Sequence, residues 1–168
     1  ADRAYAPWID MENLLINKNL PLISIEQKRP LNEFDVIGFT LQHETSYTNI
    51  LTILNLAQIK LRSCERSDND AIIAAGGPGA LVPAVLSPFI DLFCVGEGEA
   101  ILPELFKILK HRKDFTRVDL LQECAKVPGV YVPSVHDKNK IVKYHVRIDD
   151  IPEHPQLYLV GVCFFSLR

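Results

Sequence analysis

The segment CVGEGEAILPEL at 94–105 sets two Gly-Glu pairs between an apolar run and an amphipathic stretch. Glycine-rich loops that lead into a helix usually hold anions, because backbone N–H groups and the helix dipole converge there. Glu97 and Glu99 have the wrong sign for a phosphate. They can accept hydrogen bonds from hydroxyl or amide N–H groups, so Gly96, Glu97, Gly98 and Glu99 suit a neutral ligand rich in donors. The plain alternative is an acidic helix start, where carboxylates gain about 0.3–1 kcal/mol from the dipole and cap free amides. A second loop, GGPGA at 76–80, lacks the Lys-Ser/Thr of a P-loop and the spacing of a dinucleotide fingerprint. Gly76, Gly77, Pro78 and Gly79 carry almost no side chain, which lets a large flat ligand approach the backbone, or simply makes a tight turn. A third loop, TLQHETS at 40–46, offers Thr40, Gln42, His43 and Ser46 as polar contacts. His43 beside Glu44 is too little for acid–base or metal chemistry: there is no HExxH and no second histidine nearby. A GxSxG elbow is missing too, so nucleophilic catalysis finds no support. No catalytic residue and no metal ligand is assigned.

These loops must be placed by the elements around them. PLISI at 21–25, DVIGFT at 35–40, AIIAAG at 71–76 and DLFCVG at 91–96 read as strands without polar alternation, the pattern of parallel strands covered on both faces. Helical spacing marks 45–61, with Ile50, Leu51 and Leu54 on one side and Thr45 or Ser46 as N-cap. It also marks 80–89, 99–113 and 117–127. Strand alternating with helix argues for a doubly wound α/β sheet. In such a sheet ligands bind beyond the carboxyl ends of the strands, where all three loops emerge to form one rim. After Pro128-Gly129 the chain changes character. VYVPSV and KIVKYHV flank HDKN as a β-hairpin, with Pro133 confining the first to an edge. DIPEHPQ at 150–156 reads as a linker, and the tail LYLVGVCFFSLR as an apolar strand. The expected organisation is therefore an α/β domain at 1–127 and a hairpin, linker and tail at 128–168.

Composition excludes more than it assigns. The 168 residues carry a net charge of −3, with no basic run interleaved with aromatics, so nothing points to nucleic acid. No apolar stretch approaches the roughly 20 residues a membrane span needs, and the N-terminus lacks the pattern of a signal peptide. Cys64, Cys94, Cys124 and Cys163 have no zinc-knuckle, redox or iron–sulfur spacing; reduced core thiols in the cytoplasm are the expectation. The histidines at 111, 136, 145 and 154 are expected to be solvated.

Taken together, AYAPWIDME at 4–12, DVIGFTLQHETSYTNIL at 35–51, AAGGPGA at 74–80, VGEGE at 95–99 and PGVYVPS at 128–134 resemble the cobalamin (B12)-binding-like N-terminal domain of radical S-adenosylmethionine (SAM) enzymes. The resemblance is closest to one uncharacterised radical SAM family and extends to about residue 150. It implies a flavodoxin-like fold with cobalamin as the expected cofactor, held at the three loops, in an accessory module that is not catalytic by itself. It also implies a strand and helix before residue 1, and a radical SAM barrel after about residue 155 as partner. That barrel would hold the [4Fe–4S] cluster and S-adenosylmethionine, because none of the four cysteines here fits the cluster motif. The Asp-x-His-x-x-Gly loop of domains that give cobalt a lower histidine is missing. Related domains keep the fold without the cofactor, which leaves a docking domain for the barrel or its substrate as the alternative. In a flavodoxin-like sheet the absent first strand would lie in the middle, exposing the backbone of two neighbours. Either the tail fills that slot, or a second copy does and the chain is a homo-oligomer.

Overall fold

The computed structural model describes residues 2–136 and the strand at 162–165. Six strands form one mixed sheet in the order β1-β6-β2-β3-β4-β5. The central strands β2 (Val36–Thr40), β3 (Ile72–Gly76) and β4 (Leu92–Cys94) are parallel, each lying within an apolar run read from the sequence. β5 (Val130–Tyr131) adds antiparallel to β4. β6 (Val162–Phe165) lies in the slot between β1 (Asp2–Ala4) and β2, antiparallel to both. The apolar tail thus fills the gap, the first of the two expectations. Because β6 opposes both neighbours, β1 runs with β2, and the shared partners Cys163 and Phe164 set Arg3 level with Gly38 and Asp2 level with Ile37.

Strand alternation sends side chains to two separate cores. Ile37, Phe39, Ile73, Ala75 and Phe93 pack on one face with α1 (Ile9–Lys18) and α2 (Tyr47–Leu56), which contribute Leu15, Ile50, Ile53 and Leu54. Val36, Ile72, Leu92 and Cys94 pack on the other, under α3 (Gly98–Leu109) and α4 (Arg117–Cys124). α4 starts at Thr116, whose hydroxyl accepts from the Asp119 N–H at 3.2 Å, satisfying one orphan donor of the first turn. No described helix is long and apolar enough to cross a membrane.

Several expectations need correction. PLISI is not a strand: it makes a single bridge, Ile23 to Pro30, and directs its amides to the Leu56, Arg29 and Arg3 carbonyls in a folded-back loop. Residues 80–89 are not an α-helix but part of two 3-10 turns, Pro78–Leu81 and Pro83–Val85, because closely spaced prolines remove the donors a longer helix needs. The helix expected over 45–61 is α2, which stops at Leu56, with Gln58 in the left-handed region. The helix expected over 99–113 is α3, followed by a separate turn at Arg112–Asp114. His136 is not simply solvated: its Nδ1 accepts from the Val132 N–H at 2.9 Å and its ring stacks on Tyr131. β1 and α1 went unread in the sequence. The second hairpin strand and the 150–156 linker lie outside the described residues.

The amino edge of the sheet is held by charge. Asp91, with no side-chain exposure, accepts through Oδ2 from the Ile73 N–H at 2.7 Å, Arg66 Nη1 at 3.0 Å and Arg117 Nη2 at 2.7 Å. The remaining N–H groups of Arg66 donate to the carbonyls of Lys60, Leu61 and Phe89. Arg117 donates from Nη1 to the Ser67 and Asp70 carbonyls and from Nη2 to that of Ala71, while its buried Nε makes no hydrogen bond. Burial outweighs the neighbouring Asp91 and lowers the Arg66 pKa from its ordinary value. Asp91→Asn would leave two buried guanidinium groups without their counter-charge, and breaking such a cluster costs about 3–5 kcal/mol. Urea denaturation should show a loss of that size.

Asp70 carries a second, weaker link. Partial burial pushes its pKa up, but Ser67 and Lys60 outweigh this through hydrogen bonds and charge, bringing it down to about 2. A folded pKa below the unfolded one stabilises above about pH 4, and the contribution fades as pH falls from there toward 2. Asp70 is partly exposed, so the share is about 1–2 kcal/mol after screening. Between pH 5 and pH 2 the native chain should lose that much more stability than Asp70→Asn, measured by urea titration at each pH.

Candidate functional site

The three loops after β2, β3 and β4 converge at the carboxyl edge around one cavity of about 290 Å³. Gly38 and Thr40 of β2, Ala74 and Gly76 of β3 and Cys94 of β4 line the floor. These alternate positions share the face that α3 covers, and α3 supplies one wall through Leu102, Leu105, Phe106 and Leu109. Gln42, Gly77, Gly96, Gly98 and Glu99 join the lining from the loops and the first turn of α3, and Val36, Phe39 and Ala75 from the strands. The interior is apolar, with polar groups confined to Thr40, Gln42, Glu99 and the backbone.

Of the residues singled out in the sequence, Thr40, Gln42, Gly76, Gly77, Gly96, Gly98 and Glu99 are brought together here. His43, Ser46, Pro78, Gly79 and Glu97 are not part of the lining. Ser46 Oγ donates back to the His43 carbonyl at 2.7 Å, closing the loop on itself, and the His43 side chain is exposed. Glu97 is the N-cap of α3 by position, yet its side chain makes no capping bond; its carbonyl accepts from the Ala100 and Ile101 N–H groups at 3.2 Å. Glu97 thus stands at the acidic helix start without the side-chain capping bond expected of it, and Glu99 is the carboxylate at the cavity. The residues missed were the small side chains inside the strands, Gly38 and Ala74, and the α3 wall. Their signal was present: Gly38 and Thr40, like Ala74 and Gly76, stand two apart and so share a face.

The rim is fixed by backbone bonds. Leu41 N–H donates to the Gly76 carbonyl at 2.7 Å, and Gly79 N–H donates to the Leu41 carbonyl at 2.9 Å, stapling two loops together. Gly77 has φ +97°, and a Cβ there would stand 3.1 Å from the Leu41 carbonyl oxygen. Gly76 and Gly98 differ: a Cβ on either meets only atoms at 3.7 Å, an ordinary contact. Cys94, on the floor, has its thiol pKa pushed up to about 12 by burial, helped by the neighbouring Cys124, so it is an apolar wall rather than a nucleophile. Cys94 and Cys124 are buried free thiols as expected, whereas Cys64 is free and exposed. Among the described residues no cluster of three metal-capable side chains exists.

Residues 1–133 match the family described as the N-terminal domain of radical SAM proteins. The chain belongs to that family. It is also 27% identical, over 138 residues, to an uncharacterised protein of Methanocaldococcus jannaschii, covering 80% of this chain and 26% of the relative. The chain thus spans about a quarter of that relative's length. No solved structure matches it. The radical SAM family read from the motifs is thus shown at the level of this N-terminal domain.

The glycines separate rim geometry from cavity space. Gly77→Ala should lose about 1–3 kcal/mol through its left-handed backbone and the close Leu41 carbonyl. Gly98→Ala, at the first position of α3, should match the native chain to within about 0.5 kcal/mol or gain slightly. Thermal unfolding of the two variants side by side checks the pair.

Proposed function

We propose that this domain is a corrinoid-binding accessory module of a radical SAM enzyme, with a flavodoxin-like sheet and no catalytic group of its own. The observation that carries the reading is the cavity at the carboxyl edge, where three strand-end loops meet over a floor of glycine and alanine. A doubly wound sheet takes ligands at that edge. The sheet order is consistent with it: β1, β2, β3 and β4 run one way, and β6 occupies the place of a central strand.

The residues fit part of a corrinoid. Floor positions without side chains let a flat heterocycle, such as the base of the nucleotide tail, lie against the sheet and the apolar wall of α3. Gln42 and Glu99 offer acceptors for the amide N–H groups of the corrin side chains, which explains a carboxylate on a glycine loop better than a phosphate would. The macrocycle is larger than the cavity and would lie across the rim. His43, outside the lining, is not placed as a lower ligand to cobalt. When bound, the corrinoid would supply its cobalt chemistry to a substrate held elsewhere in the enzyme; this chain binds, orients and shields one side of it.

Titration of the folded protein with hydroxocobalamin tests this. A saturable change in visible absorbance near one equivalent is expected, weakened at least tenfold by Gly76→Ala, whose added methyl enters the floor without a backbone clash. Absence of any spectral change in the whole radical SAM protein would overturn the reading. A second reading, a docking domain with no cofactor, draws on a different observation: the apolar surface around α1.

A further inference from the structure

We infer that the exposed apolar face of α1 and its flanking loops is the surface on which the radical SAM domain of the same polypeptide docks. The inference rests on the reading of this chain as an accessory module, but not on cobalamin binding. Nine of the fifteen large apolar side chains exposed among the described residues fall in residues 5–25. Trp8 is 81% exposed, Ile9 65% and Ile16 56%; Met11, Leu14 and Leu20 are each about half exposed.

Helix geometry makes this an organised surface. Ile9 and Ile16 stand seven residues apart and share one face; Met11 and Leu14, three apart, share another. Leu15, between these faces, is the one residue of α1 that is buried. A helix with apolar residues on several sides is built to be covered on several sides, whereas this sheet covers one. Apolar exposure concentrated in this way marks an interaction site.

Charge and chain length select the occupant. The first turn carries Asp10 and Glu12, and Lys18 is the only basic residue of α1, so an anionic lipid surface is disfavoured. The chain belongs to an N-terminal domain family of radical SAM proteins and spans about a quarter of its archaeal relative, so most of such a protein lies beyond it. A tethered domain meets this face at an effective concentration in the millimolar range, far above that of a second copy. Position agrees. β1 runs parallel to β2, so the Tyr5–Trp8 loop emerges at the same carboxyl edge as the cavity. α1 itself packs on the sheet face opposite the α3 wall, so a domain seated there would share the carboxyl edge with the cavity rather than its lining.

The test places a photoreactive benzoylphenylalanine at Ile9 or Ile16 in the whole radical SAM protein, with Val118 on α4 as the control position. Val118 is as exposed as Ile9, at 65%, but lies on the opposite layer. After irradiation and digestion, mass spectrometry should find cross-links from positions 9 and 16 to peptides of the radical SAM domain, in a product of monomer mobility, with none from position 118. Cross-links confined to residues 137–161 of this chain, a product of dimer mobility, or no cross-link at all would overturn the proposal. Ile9→Glu with Ile16→Glu, both at exposed sites, should leave the domain folded and speed tryptic cleavage between the two domains at least tenfold; unchanged cleavage counts against docking. Hydroxocobalamin titration of the same samples reports on the cofactor alone, so docking and cofactor binding can fail separately.

Discussion

Asp91 sits at the turn into β4 and ties together the segments that enter two strands. Its single carboxylate holds two guanidinium groups and the amide of Ile73, and those guanidiniums in turn hold six carbonyls from the loops before β3 and β4. Arg112 extends the same edge by bonding the Asp35 carboxylate and carbonyl ahead of β2. The three central parallel strands therefore enter from segments pinned by an arginine. Two cations on one anion is a costly arrangement to bury, and it is tolerated because nearly every donor finds a carbonyl. The consequence is a sheet whose amino edge cannot shift in register without breaking several charged bonds at once.

That rigidity permits the opposite edge to be built differently. At the carboxyl ends the chain supplies glycine, small side chains and backbone hydrogen bonds rather than ion pairs. The Leu41–Gly76 and Leu41–Gly79 bonds fix where the loops lie without filling the space between them. The floor and the α3 wall belong to the same core that packs α3 on the sheet, so the strands that the amino edge holds also hold the cavity. The fold thus separates the part that sets geometry from the part that can accept a ligand.

The parallel strands were legible in the sequence because a continuous apolar run of strand length, bounded by turn signals, suits a strand buried on both faces. The three loops were legible for the same reason: each begins where such a run stops. The errors have physical causes. PLISI has the composition of a strand, but its partners are carbonyls of Arg29, Leu56 and Arg3, which no local pattern announces. β1 is three residues long and is a strand only because β6, about 160 residues later, lies beside it. α1 escaped because its apolar residues do not fall on one stripe, and the property that hid it is the one that distinguishes its surface. In the cavity, Gly38 and Ala74 were missed because they lie inside strands rather than in loops, although strand parity already puts them on the face of Thr40 and Gly76.

The placement of the two carboxylates on the Gly-Glu loop shows how spacing decides which of them meets the cavity. Gly96 has φ +130°, so the chain turns sharply on leaving β4, and α3 begins two residues later. Glu97 falls outside the cavity and Glu99, two residues on, falls at it; neither is required to cap the helix for the helix to start, because Glu97 contributes its carbonyl instead. The loop therefore sets one carboxylate at the cavity. That group repels a phosphate brought close to it and can accept hydrogen bonds from a donor-bearing ligand, which is what the proposed corrinoid would offer. A purely structural turn would need the glycines alone, whereas here they border a cavity whose α3 wall is continuous with the core through Leu105 and Leu109.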